Sequence, residues 1–479
     1  MPSSPNRPNL ILVMTDQQRW ETVGAYRALN IETPTLDRLA SEGVLFDQAF
    51  VPVPLCTPSR ASVFAGQYPS RHGVRTNLHL SLPGSAPNFL VGLREAGYRM
   101  LLAGKDHVFG PILEDWFDEI VDYSHAGAVR PALPAEKDVS AIRRAGMRLP
   151  FAEVDETPLA LHPTVRITEA AIAMTEAADE PYFLWLSYPD PHPPFMVPEP
   201  YASRYHDRLD WPVVVDPEPE RKPLRQRLAS ALMERKGVMT DRVQRLREIY
   251  AGMVTLIDHE LDRLVSALTA RRAAENTVLI FMSDHGDYLG DHSMVRKSPA
   301  MYDCLIRIPF LVWAPGRFRP RRQRGTFVES IDVAPTLLEL AGASIPDAME
   351  GMSLTKLLSG KTNRHKDAVF GIYGLEGSAA TSEAEAAAIS AAASRHTNDP
   401  WNGQGVMQGR FAMVRTVDCK LVHYRGGEGE LYDLARDPGE TVNLWSDVRF
   451  GDARRRLENC LLDWALETFT VSPPVGGRS

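Results

Sequence analysis

Five short apolar runs limit the folds open to this chain: "NLILVM" (9–14), "RMLLAG" (99–104), "YFLWLS" (182–187), "TVLIFMS" (277–283) and "IPFLVWA" (308–314). Each is continuous rather than alternating, the pattern of a strand buried on both faces in a parallel sheet. Between them lie stretches of helical period such as "TPTLDRLASEG" and "VQRLREIYAGMVTLIDHELDRLVSAL". This alternation predicts an α/β fold with a large, mostly parallel mixed sheet sandwiched by helices. Four of the runs lead directly into polar clusters: Thr15, Asp16 and Gln17; Lys105, Asp106 and His107; "YPDPHPPF" with His192; and Asp284 with His285. In open α/β sheets ligands bind outside the carboxyl ends of the strands, so four such clusters predict one shared pocket.

At 479 residues the chain exceeds one small core, and after about residue 365 its texture changes. "GSAATSEAEAAAISAAASRHTNDPWNGQG" (377–405) is rich in alanine and serine and reads as a loop, a helix or a lid. The segment from Gly409 to Leu444 alternates and turns like an antiparallel meander. The expected organisation is therefore a catalytic α/β domain over 1–365 and a smaller C-terminal α+β subdomain with an antiparallel sheet over 366–479. A net charge of −8 argues against a nucleic-acid surface. No run approaches the length of a membrane helix, and "LILVM" is too short for a secretion signal, so the expected setting is cytoplasmic, without nucleic acid or membrane as partner. The four cysteines (Cys56, Cys304, Cys419, Cys460) are too scattered for a disulfide framework or a CxxC zinc site.

Cys56 opens the stretch "CTPSRASVFAG", which reads as a helix with Pro58 in its first turn. A thiol at a helix N-terminus near Arg60 is either acidified by the N–H groups and the charge or is a small buried hydrophobe. Only three residues separate Cys56 from Arg60, which excludes a Cys-x5-Arg phosphatase loop. "CTPSR" is similar to the Cys-x-Pro-Ser-Arg signature of the type I sulfatases, within the alkaline phosphatase superfamily. The resemblance continues through "TDQQR", "GKDH", "PHPPF", "SDHGDYLGDH", "DVAPTLLELAG", "GMSLTKLLSG" and "ELYDLARDPGETVNL", nearly the whole chain. One departure follows the signature: many sulfatases carry Leu-Thr-Gly-Arg, and this chain has "FAGQ" with Gln67 in place of the arginine.

The resemblance implies an alkaline-phosphatase-like sheet and a cysteine, Cys56, that a maturation enzyme oxidises to Cα-formylglycine. It implies a metal held by Asp16, Gln17, Asp284, His285 and the modified Cys56. Sulfatases usually carry Asp-Asp early and Asp-Asn late; the Asp-Gln and Asp-His found here are similar to choline sulfatases and phosphonate monoester hydrolases. An oxygen-rich set suits Ca2+, and the added imidazole makes Mn2+ the alternative. Lys105 and His107 match the family's Gly-Lys-x-His element. By the same resemblance Lys105 contacts the modified residue and the sulfuryl oxygens, and His107 removes the proton that drives sulfate release. His192 faces the bridging oxygen as general acid, and Arg60 holds the formylglycine. Lys297, twelve residues after His285, matches the substrate lysine, and Asn77, 21 residues after Cys56, matches an asparagine of choline sulfatases and phosphonate hydrolases. His72, Asp287, Asp291 and His292 read as supporting or turn residues.

The implied chemistry is hydrolysis of a sulfate monoester to alcohol and sulfate by a metal-activated formylglycine hydrate. The alternative is phosphonate monoester or phosphodiester hydrolysis with the same machinery, against which "GKDH" speaks, because the phosphonate hydrolases carry Tyr and Thr where this chain has Lys105 and His107. The implied partners are a small-molecule sulfate ester and the maturation enzyme, with a homo-oligomer left open.

Overall fold

The computed structural model describes residues 7–77, 81–123, 129–130, 136–147, 153–235, 242–374, 382, 384–389, 391 and 409–469. Its main sheet has nine strands in the order 321–323, 44–46, 310–313, 277–283, 9–15, 182–187, 99–104, 119–123, 129–130. Four central neighbours run parallel: Thr277–Ser283, Asn9–Thr15, Tyr182–Ser187 and Arg99–Gly104. These are four of the five apolar runs, and their residues are buried on alternate sides. Leu10, Leu12 and Met14 join one core with Trp185 and Ile280, and Ile11 and Val13 join another with Leu184 and Phe281. Cover on both faces is the reason these strands show no alternation in sequence. One face carries the helices Cys56–Ala65, Phe89–Glu95 and Val333–Ala341; the other carries Pro163–Ala177 and part of the 29-residue helix Arg242–Ala270. The fold is thus the α/β mixed sheet expected.

One strand departs from expectation. Phe310–Trp313 lies antiparallel to Thr277–Ser283, not parallel. The chain returns from Ser283 to Phe310 with only short helical turns between, so no crossover helix carries it back to the start of the sheet. A second sheet of four antiparallel strands follows, Val369–Gly374, Arg410–Arg415, Cys419–Tyr424 and Gly429–Asp433, backed by the helix Gly451–Phe469. The alanine- and serine-rich stretch 377–405 lies almost entirely outside the described residues. Among the described residues no helix is long and apolar enough to cross a membrane.

The register aligns the carboxyl ends of the central strands. Thr15 pairs with Ser283, and Met14 and Gly104 both pair with Ser187. Backbone bonds then tie the outgoing loops together: Asp284 N to Thr15 O at 3.0 Å, Lys105 N to Ser187 O at 2.8 Å and Tyr188 N to Met14 O at 2.8 Å. At Gly104 the chain turns with φ +113°, and a Cβ would sit 1.9 Å from the Ser187 carbonyl oxygen. Only glycine allows this approach.

Candidate active site

Cys56 is the first residue of the helix Cys56–Ala65, all ten residues of which are buried. No side chain of the preceding residues caps this helix; instead Asn77 Oδ1 accepts from Thr57 N at 3.0 Å. The exposed Asn77 thus sits beside this helix as a capping group. The helix is anchored by Phe64, which stacks on Phe89 and meets Phe109 and Trp185 edge-on. A close-packed anchor of this kind fixes where its N-terminus points.

Cys56 Sγ lies 3.4 Å from Asp16 Oδ1, 3.3 Å from His285 Nε2 and 2.6 Å from Lys297 Nζ. Ligand atoms of Asp16, Cys56, Asp284 and His285, all buried, lie within 4.8 Å of one another. Arg60, fully buried, spans the two carboxylates: Nε donates to Asp284 Oδ2 at 2.8 Å and Nη2 to Asp16 Oδ2 at 3.1 Å. Its third nitrogen, Nη1, donates to Ser187 Oγ at 2.8 Å and reaches the carbonyls of Lys105 and Asp106. The Arg60 hydrogen bonds therefore go to the carboxylates and strand ends and none to Cys56. Lys105 Nζ donates to the same Asp16 Oδ2. Burial opposes the charge of Asp16, but Lys105, His192, Lys297 and Arg60 outweigh it and hold the carboxyl well below its usual range.

Burial, then Asp16, raises the Cys56 thiol, which favours the buried-hydrophobe reading of this cysteine over the acidified one. As a plain cysteine this residue is a poor nucleophile. Burial and Lys297 lower His285 to about 4, leaving a neutral imidazole at pH 7. Its Nδ1 lies 2.8 Å from Gly286 O, which assigns the proton to Nδ1 and the lone pair to Nε2, the ligating tautomer. His192 has the same arrangement, Nδ1 lying 2.6 Å from Pro193 O. Burial, then Lys297, pushes its pKa well down. His107 is exposed, yet the protein packed around its ring, then Lys105 and Arg60, lower it well below the usual imidazole value. It is held in the left-handed region at φ 62° by its neighbour Asp106, whose carboxylate accepts from the backbone N–H groups of Val108, Phe109 and Gly110.

The site suits a hard divalent ion. Two carboxylates and a neutral Nε2 converge, and the neighbouring Gln17 has a buried amide oxygen, Oε1, with no hydrogen-bond partner among the described residues. Gln17 reaches the cluster through its backbone, N donating to Asp284 Oδ1 at 2.9 Å. The residues that could hold an ion are thus Asp16, Gln17, Asp284 and His285, with Cys56 Sγ beside them. The structure brings together Asp16, Cys56, Arg60, Lys105, Asp284, His285 and Lys297 by direct contact. His192 and His107 belong to the same electrostatic neighbourhood, and Asn77 lies one step out. Sequence reasoning named Asp106 only within a polar cluster and gave no role to Ser187, yet they hold the loop and the guanidinium; their positions at strand ends were the available signal.

The sulfatase family profile matches residues 8–343. The chain is 32% identical over 477 residues to an uncharacterized sulfatase, YidJ, of Escherichia coli (strain K12), covering 96% of this chain and 87% of that protein. It is 28% identical over 486 residues to an arylsulfatase of Clostridium perfringens, covering 95% and 94%. Among solved structures, the phosphonate monoester hydrolase SpPMH from Silicibacter pomeroyi superposes with a TM-score of 0.80 at 22% identity, covering 98% of both chains.

Proposed function

The chain belongs to the sulfatase family, and on that premise we propose that it is a sulfuric ester hydrolase converting a sulfate monoester to an alcohol and sulfate. The observation that carries this reading is the convergence of Asp16, His285 and Lys297 on Cys56 Sγ. Oxidised to formylglycine, residue 56 would supply a hydrated aldehyde as nucleophile, and a divalent ion, Ca2+ with Mn2+ as the alternative, would make its hydroxyl more acidic.

The chain's own residues account for the remaining work. Asp16 and Asp284 are both bonded by Arg60, which would orient them toward an ion held between them. Lys297, which touches Cys56 Sγ, and Lys105, which touches Asp16, would offer ammonium groups to the charge that develops on the sulfuryl oxygens. His192, neutral in the resting site, would take a proton from solvent once the anionic ester offsets the field of Lys297, and donate it to the leaving alkoxide. His107, neutral and reached by solvent, accepts the proton released as sulfate departs. Asn77 steadies the helix that carries residue 56.

A second reading, phosphonate monoester or phosphodiester hydrolysis, is favoured by one feature: the Asp16-Gln17 and Asp284-His285 pairs stand where sulfatases usually carry Asp-Asp and Asp-Asn. Side-by-side turnover of aryl sulfate and aryl phosphonate esters tests the choice, on protein produced with the maturation enzyme and checked by peptide mass across residues 51–71. Faster turnover of the sulfate is expected; far faster turnover of the phosphonate would overturn the first reading.

A further inference from the structure

Gln17 is held in an unusual way. Its backbone is in the left-handed region at φ 71°, where a non-glycine residue is uncommon. Three contacts hold it there: its N–H donates to Asp284 Oδ1 at 2.9 Å, its carbonyl accepts from Tyr250 Oη at 2.6 Å, and its side-chain Nε2 donates to Asp287 Oδ2. Asp287 is fully buried. Its other oxygen, Oδ1, accepts from Leu289 N at 2.7 Å, so both ends of the carboxylate are engaged. The turn that carries it is tight: a Cβ at Gly286 would sit 2.0 Å from the Cys304 carbonyl oxygen, so Asp287 has little freedom to move away.

Both oxygens of Asp287 act as acceptors here, one toward Leu289 N and one toward Gln17, whereas an amide has one donating and one accepting end. Asp287 therefore decides which way round the Gln17 amide sits. With NH2 turned to Asp287, Oε1 takes the opposite end, and that atom is buried without a partner among the described residues. A buried acceptor left alone is unfavourable, and a cation ligand would satisfy it. We propose that Asp287 is the positioning residue of the metal centre: it locks the Gln17 amide with its oxygen, not its NH2, presented to the divalent ion. Gln17 and Asp287 thereby act as one unit, in which a neutral ligand is given a single orientation by a carboxylate that does not itself touch the ion. This rests on the reading that the ion sits among Asp16, Asp284 and His285.

The test uses full-length, chelator-stripped protein titrated by calorimetry with CaCl2 and, separately, MnCl2. In Asp287→Asn the Leu289 N–H retains the introduced carbonyl oxygen, the introduced NH2 faces Gln17, and the Gln17 amide turns its own NH2 toward the ion. Loss of such a supporting partner lowers metal affinity about 10–100-fold, and at least tenfold is expected. In the double variant Gln17→Glu/Asp287→Asn the introduced asparagine donates to the introduced carboxylate, which then offers its other oxygen to the ion. Asp287→Asn should therefore weaken binding in the native background and strengthen it in the Gln17→Glu background. A carboxylate acting only through its charge would weaken binding in both, and that result overturns the proposal, as does an affinity within about twofold of the native protein in Asp287→Asn. Unfolding temperatures in chelator report whether each variant folds. If Asp287→Asn alone does not, the comparison of Gln17→Glu with the double variant carries the test through its sign. Native protein that binds neither ion overturns the metal reading itself, whereas native binding with no sign reversal overturns this inference alone.

Discussion

Arg60→Met should uncouple the two carboxylates at the centre of the site. The guanidinium is fully buried and forms ion pairs of 2.8 Å to Asp284 and 3.1 Å to Asp16, whose side chains are equally inaccessible. Methionine is apolar and close in length, so the main loss is charge and directed hydrogen bonds rather than volume. Removing one partner of a buried ion pair costs about 3–5 kcal/mol, because the other charge stays buried without compensation. Lys105 still neutralises Asp16, so the cost falls chiefly on Asp284 and should lie toward the lower end. At about 2 °C of midpoint per kcal/mol for a chain of this size, the unfolding midpoint in chelator should fall by roughly 6–10 °C. The assay is a thermal scan at one fixed rate with chelator and again with added CaCl2 or MnCl2. The added ion should narrow the gap between variant and native protein, since it supplies the positive charge that the arginine supplied. Arg60→Lys should recover only part of the loss, because an ammonium cannot fork between Asp284, Asp16 and Ser187. A midpoint within about 1 °C of native in chelator would refute the reasoning, by showing that the paired carboxylates do not depend on Arg60.

Cys56→Ala should abolish ester hydrolysis while leaving the unfolding midpoint near native, since the thiol is small and buried at a helix end; turnover of an aryl sulfate and a thermal scan check the two halves. Lys297→Met should lower kcat by about 10²–10³, the scale of losing one group aimed at developing charge, and steady-state kinetics on matured enzyme would show a drop below tenfold if Lys297 were only structural. Gly104→Ala should fail to accumulate as soluble protein or lose many degrees of midpoint, because its Cβ would overlap the Ser187 carbonyl at a φ that alanine resists; a near-native scan would contradict the close approach. Burial raises Asp258 from 3.8 to about 6 although its carboxylate accepts from Thr35 N and Leu36 N at the start of the helix Pro34–Glu42. The folded state therefore holds this proton where the unfolded state has lost it. Stability from this group is greatest below pH 4 and declines by about 3 kcal/mol as pH rises to 6 and above. Relative to Asp258→Asn, native stability measured by denaturant should fall across that window, and a flat difference would refute the shift.

The central strands were legible because each is covered on both faces, which removes the alternation that marks a half-exposed strand and leaves a continuous apolar run. The same property hid the direction of Phe310–Trp313, since burial on both faces looks alike whichever way a strand runs. Val369–Gly374 escaped notice for a different reason: it alternates between buried and half-buried positions, carries two glycines, and pairs with Arg410–Arg415, distant in sequence. In the site, the residues that bear charge at strand ends could be picked out singly, because a carboxylate or imidazole after an apolar run has few structural uses. Their mutual relations could not. That Arg60 grips Asp16 and Asp284 rather than residue 56 depends on the helix Cys56–Ala65 crossing the ends of two strands, and that burial raises the Cys56 thiol depends on the packing around it. Asp287 is the sharpest case. In sequence it is one more acid in a polar turn, and only the fold, by turning Gln17 back onto it and leaving one amide oxygen over, makes it the group that orients a metal ligand.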